Sequence, residues 1–97
     1  MQQAETKFDE TKARHQKALV AFLSADLDLA GTFLDTARID AQSDPVHARK
    51  LVESALIALR AVRRFQGRIE DPTEWARVNH EADELEFEIK TFPRLLT

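Results

Sequence analysis

The residues able to do chemistry are few and scattered. His15, His47 and His80 are the only histidines, Ser24, Ser43 and Ser54 the only serines, and cysteine is absent. That absence excludes a disulfide scaffold, a thiol nucleophile, iron–sulfur ligation and Cys-based zinc sites. The densest carboxylate run is Glu81, Asp83, Glu84, Glu86 and Glu88. At helical spacing Glu81, Glu84 and Glu88 share one face, which would bind divalent cations weakly. A di-metal site in a helical bundle asks for inward Glu-x-x-His pairs, and the residue three before His80 is Arg77. No serine has a histidine within reach for nucleophilic catalysis. Gly31 and Gly67 are the only glycines, too few for a phosphate-cradling loop. The carboxylates therefore predict a solvated acidic face and the histidines ordinary surface positions. No catalytic, metal-binding or cofactor-binding residue is assigned, and the chain reads as non-enzymatic.

Arg60, Arg63, Arg64 and Arg68 form a stripe at helical spacing that could grip the phosphate of a nucleic acid or an anionic metabolite. Residues 44–69 carry six Lys/Arg against Asp44 and Glu53, whereas residues 70–92 carry eight acids against Arg77 and Lys90. A basic segment thus adjoins an acidic one, and the chain as a whole is at −3. Antiparallel register would bring Asp26 and Asp28 near Arg60 to Val62, so salt bridges are expected to consume much of the stripe. It also lacks interleaved aromatics for base stacking. Pairing or solvation is the expectation, with anion or nucleic-acid binding as the alternative.

The elements that hold these side chains are read from apolar spacing. The 97 residues, 43% hydrophobic and 32% charged, suffice for one globular domain. No apolar run approaches the roughly 18–20 residues of a membrane span, and the N-terminal stretch lacks a signal peptide's apolar core. A cytosolic location is expected. Trp75, Val78, Ala82, Leu85, Ile89 and Phe92 recur at alternating intervals of three and four, predicting a helix over 72–92 capped by Asp71 and started by Pro72. Asp44 and Pro45 open a second helix over 45–66. Its seam is Ala48, Leu51, Ala55, Ala58, Val62 and Phe65, widened by Val52, Leu56 and Leu59, with Gly67 as a left-handed stop. That wider face marks it as the central helix. Upstream, Leu19 to Ala41 follow one period, predicting a helix from about 6 to 42 whose first 5–15 residues overhang or fray. A break near Ser24 is the alternative. The fold class expected is an all-α, antiparallel three-helix bundle with a long first helix.

Six layers between the second and third helices share one residue-number sum, from Phe65 with Trp75 to Ala48 with Phe92, as an antiparallel pair requires. Near the middle Ala30, Gly31, Ala58 and Ala82 fall at one level, predicting close helix approach there.

The stretch ADLDLAGTFLDTARID, followed by a Pro-started helix with Ala48-x-x-x-Val52-x-x-Ala55, resembles a tetratricopeptide-type helical hairpin over residues 25–92. It is also similar to small uncharacterised bacterial helical proteins, and the three-helix layout resembles microtubule-interacting-and-transport modules. The Trp-x-x-Leu-Gly-x-x-Tyr opening and a second repeat are missing, so the resemblance implies a helical interaction module and no binding residues. A protein partner, including a homodimer, is expected, docking in the groove between the first and third helices. Phe87, opposite its helix's seam, and Phe8, on the thinly patterned start, are the candidate interface residues.

Overall fold

The computed structural model describes residues 2–92, with side chains from Asp9 onward. Three helices run in chain order: α1, Gln2–Asp40; α2, Pro45–Gln66; and α3, Pro72–Thr91. All three pack against one another, the α1–α2 contact being the most extensive. The architecture is the expected all-α three-helix bundle. α2 is not a layer between its companions, however. α1 and α3 also meet directly, through Arg77 to the Ser24 hydroxyl and Arg38 to Glu88.

Local chemistry sets the helix ends. The Asp44 carboxylate accepts the His47 N–H and that of Asp71 accepts the Thr73 N–H, each just before a proline at the first helical position. These bonds satisfy orphan donors that the first turn leaves open. Glu74, three residues past its cap, turns to Arg77 rather than back to the cap. α1 runs unbroken through Ser24. Within it Thr32 and Thr36 return their hydroxyls to the carbonyls of Asp28 and Thr32, so these polar residues sit in the helix without competing for its backbone donors.

The core is built from Leu23, Leu27, Ala30, Leu34 and Ala37 of α1, Ala48, Ala55, Leu59 and Val62 of α2, and Val78, Ala82, Leu85 and Ile89 of α3, closed by Phe92. Four expectations need correction. Trp75 is 40% exposed rather than in the seam, and Ile69 of the α2–α3 loop is buried at that end. On α2 the buried line turns toward Leu59 and Gln66, leaving Leu51, Ala58 and Phe65 half-buried. Gly67 is right-handed (φ −63°, ψ −14°), and no glycine has positive φ. The chain leaves α2 through tight i→i−3 bonds, Arg68 N–H to Phe65 and Ile69 N–H to Gln66, so no left-handed residue is used. Fourth, the close approach is carried by Ala30, Ala55 and Ala82, all fully buried, while a Cβ at Gly31 would meet nothing within 4 Å.

Gly31 is therefore only a weak helix former. Gly31→Ala should raise stability by about 0.5–1 kcal/mol, read as an upward shift of the thermal midpoint. A fall would mean that a neighbouring helix passes closer to α1.

One side chain fixes the second reversal. Gln16 Nε2 donates to the Arg68 carbonyl (3.0 Å) and Gln16 Oε1 accepts the Glu70 N–H (2.9 Å), so one amide clamps the backbone on both sides of buried Ile69. Lys12 reaches Glu70 at 3.4 Å. The loop thus meets α1 at residues 12–16, and the turns of α1 before Lys12 continue beyond the bundle. The particle measures 63 × 19 × 16 Å.

Candidate docking groove

An open groove of about 650 Å³ lies between α1 and the first turns of α3. Ala13, Val20 and Ala21 supply its apolar floor, and Lys17, Glu74 and Arg77 are among the charged groups at its rim. Small residues in α1 make the recess: alanine at 13 and 21 leaves room that a larger side chain would fill. Arg77 is the best-held member of the rim. It donates to Glu74 (2.8 Å), Glu81 (3.3 Å) and the Ser24 hydroxyl (3.1 Å). The Glu74 hydrogen bond, opposed by desolvation and helped by the charges of Glu74 and Glu81, raises its pKa above the ordinary arginine value. Arginine is protonated at every working pH with or without this shift, so the rim keeps its positive charge. The rim offers both signs of charge around an apolar trough, the form that receives one face of an amphipathic helix.

The arginine stripe is divided by the fold. Arg63 turns to α3, where it donates to Asn79 (2.9 Å) and pairs with Asp83 and, at 3.9 Å, Glu86. Arg68 lies over the Phe65 ring at 5.0 Å. Arg60 and Arg64 have no ion-pair partner among the described residues. The expected pairing with Asp26 and Asp28 is absent; the acids that reach the stripe come from α3 and reach Arg63 alone.

Glu81, Glu84 and Glu88 do line one depression, of about 180 Å³, together with Asp28. Each of the three is engaged, by Arg77, His80 and Arg38 respectively. Among the described residues no group of three or more acidic or histidine side chains is arranged to hold a metal ion. His47 reaches Asp40 at 3.5 Å and His80 reaches Glu84 at 2.8 Å, both at the surface.

Phe87 is 68% exposed on the outer face of α3. The side chain of Phe8 lies outside the described residues. Next to Phe87, Glu88 pairs with Arg38 of α1. Position 8 is 30 residues back along that helix, about 45 Å at 1.5 Å per residue. The two phenylalanines therefore belong to opposite ends of one protomer.

The residues that periodicity missed are polar or in a loop. Gln66 is buried and donates to Asn79 Oδ1 (3.0 Å), which also accepts from Arg63. No buried side-chain nitrogen or oxygen among the described residues lacks a partner. Comparison with known proteins gives no matching family model, no matching curated protein and no matching solved structure.

Proposed function

We propose that this chain is a non-catalytic helical protein–protein interaction module, self-associating, that receives an amphipathic partner helix in the groove between α1 and α3. The observation that carries the reading is the groove itself: an open trough of about 650 Å³ with an alanine and valine floor, bordered by charges of both signs. A helix laid there would bury its apolar face on Ala13, Val20 and Ala21 and meet Lys17, Glu74 and Arg77 with its flanks. No helix among the described residues is long and apolar enough to cross a membrane, and the reading carries a cytosolic location with it. The similarity to tetratricopeptide-type hairpins supports it only in kind.

Ala13→Arg is the test. Position 13 is exposed and outside the core, so the fold should persist, while the new side chain fills the trough. Helical peptides selected for binding from a displayed library should lose at least tenfold in affinity, about 1.4 kcal/mol. The sole tryptophan, Trp75, sits beside the groove residue Glu74 and offers an intrinsic fluorescence readout. Selected peptides that bind the variant as well as the parent would refute the groove.

Anion binding through α2 is supported by Arg60 and Arg64 alone. Two uncommitted guanidiniums on a chain of net charge −3 carry less than the groove does.

A further inference from the structure

α1 carries two apolar seams, and its own bundle uses one. The inner seam is the buried line from Leu23 to Ala37. The outer seam runs through Ala18, Phe22, Ala25, Leu29, Thr32 and Thr36 to Ile39 at alternating intervals of four and three. That is a 3.5-residue repeat, the period of a seam shared by two supercoiled helices. Its large members stand in solvent: Phe22 is 57% exposed, Leu29 48% and Ile39 78%. Neither neighbour covers them. α2 packs along the inner seam, and the polar contacts of α3 and α2 with α1 are made at Ser24, Arg38 and Asp40.

We infer that two copies of the chain pair antiparallel through this outer seam of α1. The seam is complementary to itself about its midpoint. In one antiparallel register Phe22 meets Ala25 of the second copy, Ala18 meets Leu29, His15 meets Thr32 and Thr11 meets Thr36, every pair having the same residue-number sum. Large faces small in the two central apolar layers and polar faces polar in the next two, as interdigitated packing requires, and the outermost layer sets Ile39 against residue 8. A seam shaped for an unrelated helix would have no reason to fit its own reverse.

Charge and length select the same arrangement. Arg14, which has no ion-pair partner among the described residues, flanks the seam and lies diagonally across it from the second copy's Asp35, whose other contact is Arg38 of its own helix at 2.8 Å. The turns of α1 before Lys12 lie along the second copy's α1 near Thr36 and Ile39. An in-register parallel pair would instead stack Phe22 on Phe22 and leave the alanine layers unfilled.

This inference deepens the self-associating part of the proposed reading and rests on it; the groove is a separate surface. Light scattering of the full chain should give twice 11.1 kDa, and Phe22→Glu should halve that mass while its far-ultraviolet circular dichroism is unchanged. Phe87→Glu should remain dimeric. Because the chain has no cysteine, orientation is read by oxidative cross-linking of Ala18→Cys and Leu29→Cys. The two variants mixed should form a disulfide-linked pair, and neither should do so alone. A monomeric parent at all concentrations, dissociation by Phe87→Glu but not Phe22→Glu, or cross-linking of Ala18→Cys with itself each overturns the inference. A monomeric parent whose peptide binding still falls with Ala13→Arg would overturn the dimer and leave the groove standing.

Discussion

Phe92→Ala should be the most damaging single truncation in the described chain, costing about 3–5 kcal/mol in urea denaturation. Phe92 is buried just past the last turn of α3, where it closes the core, and Arg38 of α1 lies 5.9 Å from its ring centroid. Removing the ring leaves a cavity between helices and a cation without its aromatic face. A domain of this size is stabilised by about 5–15 kcal/mol, so the loss is a large share of the whole and the urea midpoint should fall steeply. Phe87→Ala, five residues earlier and facing out, should change stability by no more than about 0.5 kcal/mol. Equal losses at the two positions would mean that α3 is rotated from the orientation described above.

Asn79→Ala should cost about 1–3 kcal/mol, since it takes the acceptor from buried Gln66 and from Arg63 together. The informative comparison is the double replacement Gln66→Leu with Asn79→Leu, which removes donor and acceptor at once. It should lose less than Asn79→Ala does, because no amide is then buried without a partner, and Arg63 keeps Asp83 and Glu86. Thermal and urea unfolding of the three proteins provide the measurement. If the double replacement loses at least as much as the single one, the cluster adds stability of its own. If it loses less, the cluster chiefly fixes how α2 slides along α3, the role for which buried polar groups are best attested.

What the sequence made legible follows from which interactions have a period. Proline after aspartate marks a helix start by local chemistry alone, and both starts stand where Asp44–Pro45 and Asp71–Pro72 put them. Val78, Ala82, Leu85, Ile89 and Phe92 are buried as their spacing requires. Trp75 shares that spacing but sits in the first turn of α3, where the groove has begun to open, so phase alone misplaces it. Gln66 and Gln16 left no trace in the pattern. A glutamine is buried or clamped only because a partner from another segment satisfies it, and one helix's periodicity cannot display that partner. The long apolar stretch of α1 hid a different ambiguity: Phe22 and Leu23 are neighbours in sequence, yet one is 57% exposed and the other fully buried. A single helical period took Phe22 into the inner seam and passed over Leu29 and Ile39.

The 63 Å length of this protein has a practical bearing on its hydrodynamics. Its radius of gyration is 17.3 Å, against about 12.5 Å for a compact chain of equal mass. So slender a rod drags more solvent than a sphere, diffuses more slowly and leaves a sizing column early. A single copy will therefore elute like a considerably heavier globular standard, and retention volume would count one molecule as two.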